Sequence, residues 1–556
     1  VDIVVEKINT IRKTTRRSAK TQEKIAIASS YESPVRKTTS ICPDCNRIIE
    51  ADIFERDEKI WIRKTCPEHG EVEDLYWGSA ELYRRAERFA HDGKGIDNPN
   101  VKKKNPVCPI DCGLCNLHKS HTALANLVVT SRCDLSCFYC FFYAKRLGYV
   151  YEPTLKQLED MIKTLISEKP VACNAIQITG GEPCLRDDLL EIIKMCNNHG
   201  IDHIQLNTNG IRISKDLEFF KEAKANNLRT LYLSFDGVTP ETNPKNHWEI
   251  PGVLDNCRKV DIGVVLVPTV IKGRNDHELN SILKFAFNNI DVVRGINFQP
   301  VSFVGKISKA DRMKMRITIP DILKKIEEET GGEITMEDFY PIPTPYSITR
   351  FTEAFTGIPQ YDLSSHFACG MGTYVFKDGE NMIPITRFLN IEGLLDYLNK
   401  LASDLKHGKN KLIAGAKILF RIKSFIDKKK EPKGLNLGKM LFKALIKHDY
   451  EALAVFHRKC LLLGLMHFQD KYNFDMERVK RCCIHNAMSN GRIIPFCTFN
   501  VIPEWYRDVN QESQGMSFDQ WEKKTERKMK DDIYKRDTKK LVTSPLYKKT
   551  YAEFLK

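Results

Sequence analysis

Between Asn126 and Val301 short apolar runs alternate with longer stretches of helical period. The runs that fit buried parallel strands are Leu127–Thr130, Ala175–Thr179, His203–Asn207, Thr230–Phe235, Ile262–Val270 and Arg294–Pro300. The intervening segments Thr154–Ser167, Asp187–Asn198, Ser214–Ala225, Pro251–Lys259 and Asn275–Asn288 carry apolar residues at helical spacing, and Thr154 suits an N-cap. Six strands separated by five helices predict an α/β fold, an open partial (βα)6 barrel over residues 126–310. Barrels of this kind gather their chemistry at the C-terminal ends of the strands.

Outside the barrel the periodicity weakens and cysteines take over. Residues 1–40 are polar and basic and predict a flexible arm. Residues 41–90 hold Cys42-Pro-Asp-Cys45 and Cys66-Pro-Glu-His69, two tight turns separated by an alternating stretch. Facing each other, they offer three sulfurs and a nitrogen to one tetrahedral ion, zinc or a single iron, in a rubredoxin- or zinc-ribbon-like unit. A unit this small needs such a staple. After a polar linker, residues 91–125 include Cys108, Cys112 and Cys115 at C-x3-C-x2-C spacing. Three crowded thiolates predict an auxiliary [4Fe-4S] cluster; His118, His121 or a distant cysteine is left open as its fourth ligand. In residues 311–505, Cys369, Cys482 and Cys497 predict a second auxiliary [4Fe-4S] cluster, with Cys483 or Cys460 as a fourth ligand. Residues 506–556 read as a charged, helical surface tail.

A third C-x3-C-x2-C loop, Cys133, Cys137 and Cys140, follows the first barrel strand. A cubane cluster has four irons, so three thiolates leave one iron open to a small chelating ligand. In this spacing that ligand is usually S-adenosylmethionine. The strand ends that follow are polar or glycine-rich: Gly180-Gly181-Glu182-Pro183, Asn209-Gly210, Ser234-Phe235-Asp236 and Gln299-Pro300. Glycines admit close backbone approach, and a carboxylate accepts from an ammonium.

Charge and cysteine content narrow the class. The chain of 556 residues carries 18 cysteines and a formal charge of +14. No apolar run approaches the roughly 20 residues of a membrane span. Clustered cysteines without a secretion signal read as metal ligands in a reducing cytoplasm. The positive surplus suggests an anionic partner, but no aromatic RNA-binding motif accompanies it, and nucleic acid is not expected. Around Leu412–Phe425 lysines and arginines intersperse an apolar helix face, a pattern that suits an anionic membrane surface.

The cysteine loop followed by Gly-Gly-Glu-Pro resembles the radical S-adenosylmethionine superfamily over residues 126–301. The resemblance implies that Cys133, Cys137 and Cys140 hold a catalytic [4Fe-4S] cluster. It also implies that Tyr139, Gly180, Gly181, Glu182, Pro183, Asn209, Ser234, Asp236 and Gln299 line the cofactor. The reduced cluster would cleave S-adenosylmethionine to a 5′-deoxyadenosyl radical. Further stretches, Cys108-Pro-Ile-Asp-Cys112-Gly-Leu-Cys115, Phe298-Gln-Pro-Val-Ser-Phe303 and Met466-His467-Phe468-Gln469-Asp470, resemble the archaeal tetraether lipid synthases. That resemblance implies coupling of isoprenoid chain ends on a diether phospholipid substrate, by a cytoplasmic enzyme peripheral to the membrane and fed by ferredoxin or flavodoxin. The alternative is a radical methylase or sulfur-inserting enzyme acting on a pterin or another anionic metabolite.

Overall fold

The computed structural model describes residues 32–140, 148–304, 307–447 and 456–554. Of the expected basic arm, residues 1–31 lie outside the described residues, while its end is ordered: Ser33–Ile41 forms strand β1. With β2 (Ile48–Arg56), β3 (Lys59–Cys66) and β4 (Gly70–Trp77) it makes a four-stranded antiparallel ribbon in the order β1-β2-β3-β4. The expected arm therefore runs too far. Thr38 and Ser40, polar by themselves, are buried there because they bond Asp475 Oδ1 at 2.6 Å and the Phe474 carbonyl.

The central sheet begins at β5 (Leu124–Thr130). A two-residue strand, β6 (Tyr149–Val150), stands apart from it. The sheet continues through β7 (Ala175–Gly180), β8 (His203–Thr208), β9 (Leu228–Ser234), β10 (Gly263–Val267) and β12 (Val293–Pro300). All of these neighbours are parallel. The fifth predicted run is split: Pro268 has no N–H for the ladder, and the short β11 (Thr269–Val270) then pairs with β12. Helices Leu155–Ile166, Leu189–Asn198, Leu217–Ala225, Ile250–Val260 and Leu279–Asn288 cover the outer face. Thr154 caps the first of them in a reciprocal capping box with Gln157.

The barrel does not stop at six strands. β13 (Tyr340–Pro341), β14 (Gly370–Asp378) and β15 (Asn381–Pro384) lead to β16 (Cys460–Met466), which adds parallel to β12. β17 (Ile484–Ala487) adds parallel to the opposite edge, β5, and β18 (Ile493–Pro495) pairs antiparallel to it. The C-terminal region thus walls the gap that a half-barrel leaves open, and both exposed edges are covered.

Alternation along the strands separates two environments. Ile176, Ile178, Ile204, Leu206, Leu231, Leu233, Val264, Leu266, Ile296 and Phe298 are buried against the helices. The residues between them face the lumen and are largely polar. Of residues 506–556, read as a surface tail, the described part (506–554) instead wraps back over the barrel. Trp521, Tyr547 and Tyr551 are buried, Tyr551 stacks on His247 at 4.2 Å, and Asp532 pairs with Arg132 at 2.8 Å. The aromatic side chains spaced among the charges supply the packing energy that a charge count overlooks.

Candidate functional site

The lumen of the barrel is a cavity of ≈ 300 Å³. Cys133, Cys137 and Cys140 stand at its mouth with Tyr139, and Gly180, Gly181, Glu182, Asn209, Ser234 and Gln299 line it from four strand ends. These three are its only lining cysteines among the described residues, which matches a cluster held by three thiolates with one iron open. Burial raises the thiol pKa of Cys133 and Cys137.

The Gly-Gly-Glu turn is built to hold the root of the cysteine loop. Gly181 N–H donates to the Thr130 carbonyl at 2.8 Å and Glu182 N–H to the Arg132 carbonyl at 2.7 Å. A Cβ on Gly180 would lie 2.3 Å from the Thr130 carbonyl oxygen, and one on Gly181 2.1 Å from that of Arg132. Glycine is required at both positions by this backbone contact. Glu182 is buried, with its oxygens accepting from Thr208 Oγ1 at 2.7 Å, Asn209 N at 2.8 Å and Cys184 N at 3.0 Å. Burial, with the nearby Asp134, pushes its carboxyl up to about 7. Glu182 therefore braces the turn after β7 against the turn after β8. Asn209 Nδ2 donates to Asp134 Oδ1 at 2.7 Å, beside Cys133.

The remaining expected positions divide. Asp236 faces an adjoining cavity of ≈ 330 Å³, which shares Cys137, Tyr139, Lys245 and Thr269 with the lumen. Its carboxylate accepts from Tyr139 Oη, from Lys245 Nζ at 2.8 Å and from Thr269 N at 3.0 Å, so it fixes the tyrosine between the two chambers. Pro183 is buried at the start of a short 3-10 turn and does not line the lumen.

Sequence reading passed over the lumen floor. Asn126, Gln177, Asn207, Tyr232 and Asn297 line it below the strand ends. Gln177 Nε2 donates to Asn126 Oδ1 at 3.2 Å. Asn486, opposite Asn126 in the ladder, is fully buried with neither amide atom partnered, and Gln205 Oε1 is likewise unpaired. Full barrels pack this space with branched apolar side chains; unpaired buried amides cost about 1–3 kcal/mol each. The signal was available in Ile-Gln-Ile-Thr, Ile-Gln-Leu-Asn and Ile-Asn-Phe-Gln, where every second strand residue is polar. On the side closed by the C-terminal region, Met466, Phe468, Ile484 and Phe496 give the lumen one apolar wall.

Ten of the other cysteines gather in two places, while Cys173, Cys184, Cys196 and Cys257 are buried in the barrel core. In the ribbon, one ligand atom each from Cys42, Cys45, Cys66 and His69 lies within 4.8 Å of all the others, as a single ion requires. Behind the apolar wall sit two further sets. Cys112 and Cys115 are buried, with Cys108 against Met476 Sδ at 3.1 Å. Burial, with the charge of Cys115 adding to it, pushes the Cys112 thiol up to about 12. Tyr506 Oη accepts from Cys112 N at 3.1 Å and holds this turn. Of the fourth ligands left open, His118 is engaged with the Cys482 carbonyl at 2.8 Å and His485 at 3.1 Å, and His121 accepts weakly from Asp362 N. Cys369, Cys482, Cys483 and Cys497 form the second group, and Cys460 is excluded from it. Cys460 opposes Phe376, whereas Met466, at the other end of β16, opposes Gly370 beside Cys369. That separation is about 20 Å along the strand.

Comparison with known proteins follows the same division. Residues 127–286 match the radical SAM superfamily and residues 34–78 the HMPTM N-terminal zinc ribbon domain. The chain is 45% identical over 501 residues to 7,8-dihydro-6-hydroxymethylpterin dimethyltransferase from Methanocaldococcus jannaschii, covering 88% of this chain and 97% of that protein. It is 29% identical over 225 residues to GTP 3',8-cyclase from Aquifex aeolicus, covering 39% of this chain and 65% of that protein. Among solved structures, Streptococcus suis SuiB aligns over 38% of this chain and 46% of its own, with 18% identity and a TM-score of 0.31.

The match over nearly the whole pterin enzyme overturns the tetraether-lipid reading, and with it the diether phospholipid substrate and the anionic membrane partner. The stretches that suggested that reading, Cys108–Cys115, Phe298–Phe303 and Met466–Asp470, carry thiols or line the cofactor lumen, so they do not identify the substrate. The amide-lined lumen floor is also unlike the apolar tunnel that two isoprenoid chains require. No helix among the described residues is long and apolar enough to cross a membrane.

Proposed function

The chain belongs to the family of the Methanocaldococcus jannaschii 7,8-dihydro-6-hydroxymethylpterin dimethyltransferase, within the radical S-adenosylmethionine superfamily, and from that membership we propose that it methylates a hydroxymethylpterin. The identity of 45% across 97% of the relative carries the reading. The lumen supports it independently. A pterin presents a row of ring nitrogens, an amino group and an oxo group along its edge. Asn126, Gln177, Asn207 and Asn297 offer both donors and acceptors to such an edge without introducing a net charge.

Cys133, Cys137 and Cys140 would hold the [4Fe-4S] cluster and its open iron the S-adenosylmethionine. When bound, that pair supplies the one-electron chemistry that opens the sulfonium. The chain's own contribution is placement and exclusion. The turn after β7 fixes the cysteine loop through Gly181 and Glu182. Asp236 and Lys245 fix Tyr139 between the two chambers. Met466, Phe468, Ile484 and Phe496 keep water from the open side. Cys108, Cys112 and Cys115 would hold an auxiliary cluster, and the ribbon a zinc or a single iron.

The test is anaerobic incubation of reconstituted protein with S-adenosylmethionine, a strong reductant, 7,8-dihydro-6-hydroxymethylpterin and, because radical cleavage leaves the S-methyl on methionine, a separate one-carbon donor (a second portion of S-adenosylmethionine or a methylene-carrying tetrahydropterin), read by mass spectrometry. The expected product is heavier by one or two methyl groups. An unchanged pterin alongside full cleavage of S-adenosylmethionine defeats the pterin assignment while leaving the superfamily chemistry intact.

A further inference from the structure

Arg478 is buried to 2% exposure, and among the described residues no carboxylate lies within ion-pair distance of it. A buried guanidinium without a counter-charge is strongly disfavoured. Its partners are soft or neutral: Nε donates to Cys369 Sγ at 3.3 Å, and Nη2 to the His467 carbonyl. The same short stretch of backbone reaches the other thiols. His467 N–H donates to the Cys369 carbonyl at 2.9 Å, and Gln469 N–H points at Cys497 Sγ at 3.5 Å. Cys482 follows Arg478 by one helical turn, its N–H bonded to the Val479 carbonyl at 3.1 Å.

Alternation places this group relative to the lumen. Phe468 faces the lumen and His467 and Gln469 do not; Ile484 and Phe496 face it, while Cys482, Cys483 and Cys497 are not among its lining residues. The wall is thus one residue thick, apolar toward the substrate chamber and sulfur-rich behind.

We propose that Cys369, Cys482 and Cys497 hold an iron–sulfur cluster directly behind the lumen wall, with Arg478 as its charge-compensating residue. Three thiolates from separate segments supply the negative charge that the guanidinium lacks, and the guanidinium offsets the crowding of the thiolates. Met476, two residues before Arg478, touches Cys108, so this group neighbours the Cys108 set. The site is independent of which substrate occupies the lumen.

The decisive comparison is the full chain, reconstituted anaerobically with iron and sulfide, against a variant carrying Cys369→Ser, Cys482→Ser and Cys497→Ser. Iron should fall by about four atoms per chain, and one reduced-cluster electron paramagnetic resonance signal should disappear; an unchanged iron content overturns the assignment. Because three buried substitutions can prevent folding, Arg478→Gln gives a second reading on an intact ligand set. It should keep its iron and move the reduction potential of one signal to a more negative value, since the cation stabilises the reduced cluster. If every signal titrates as in the parent protein, Arg478 does not neighbour a cluster and the proposal fails.

Discussion

The ribbon and the barrel mouth each present a cysteine-rich motif, yet they solve opposite problems. In the ribbon, Cys42, Cys45, Cys66 and His69 surround one point from two turns of a single sheet. Nothing is left open, as befits a site whose task is to hold a small domain together. At the barrel mouth three cysteines sit on one loop, and the fourth direction is the lumen. The loop contributes little to its own rigidity. It is held from outside by the Gly-Gly-Glu turn, by Arg132 pairing with Glu152 and Asp532, and by Tyr534 N–H at the Asp134 carbonyl. A closed site carries its own scaffold, whereas an open site borrows one.

The contrast can be tested by perturbing each half. The largest effect should follow Cys133→Ala with Cys137→Ala and Cys140→Ala. Cleavage of S-adenosylmethionine should drop below detection while ribbon metal content and thermal midpoint stay near the parent values; residual cleavage would show that the loop is not the cluster site. Gly181→Ala should come next. It leaves all three cysteines in place but drives a Cβ into the Arg132 carbonyl, and a displacement of this order costs roughly 100-fold in rate. Parent-like turnover would mean that the loop does not depend on the turn.

Substitution in the ribbon should reverse the pattern. Cys66→Ser should lose the ribbon's metal and expose residues 34–78 to proteolysis, with S-adenosylmethionine cleavage falling only a few-fold, about 1 kcal/mol of lost positioning; a dead enzyme with an uncut ribbon would contradict the division of labour. On the lumen floor, Gln177→Leu should raise the pterin KM about tenfold, the worth of one to two buried hydrogen bonds, while S-adenosylmethionine cleavage without pterin is unchanged.

The smallest effect concerns acid. His247 is buried under Tyr547 and Tyr551, with Arg536 the charged group acting on it, and burial pushes its imidazolium down to about 4 from 6.5. Between these values the unfolded chain binds the proton and the native state does not. Stability from this residue is therefore complete above pH 6.5 and declines as pH falls toward 4, by up to about 3 kcal/mol. Denaturation midpoints at pH 7 and 5 should converge in His247→Phe if the variant folds; an equal acid loss in both proteins would assign the effect elsewhere.

Much of this architecture was legible in the chain. The parallel strands announced themselves as short apolar runs, and the expected ends differ from the observed ones by a few residues. The cysteine spacings marked the ribbon and the barrel loop because local turns set both geometries. What escaped has a common cause. β16 and β17 reach the barrel edges from more than 150 residues away in sequence, and no local pattern encodes such pairing. The polar lumen is hard to see in the chain because a run such as Thr230–Phe235 fits a strand buried on both faces, whereas Tyr232 and Ser234 belong to the lumen face. Substrate identity was the costliest error: residues that grip a cofactor are shared among enzymes whose substrates differ.

Because Asp532 and Tyr534 grip the residues on either side of Cys133, the order of biosynthesis matters. A ribosome delivers residues 521–551 long after the barrel strands have emerged. Until then the mouth lacks its outer clasp. A barrel shortened before Trp521 therefore keeps the three thiols of its mouth but loses the contacts of Asp532 and Tyr534 that hold their loop.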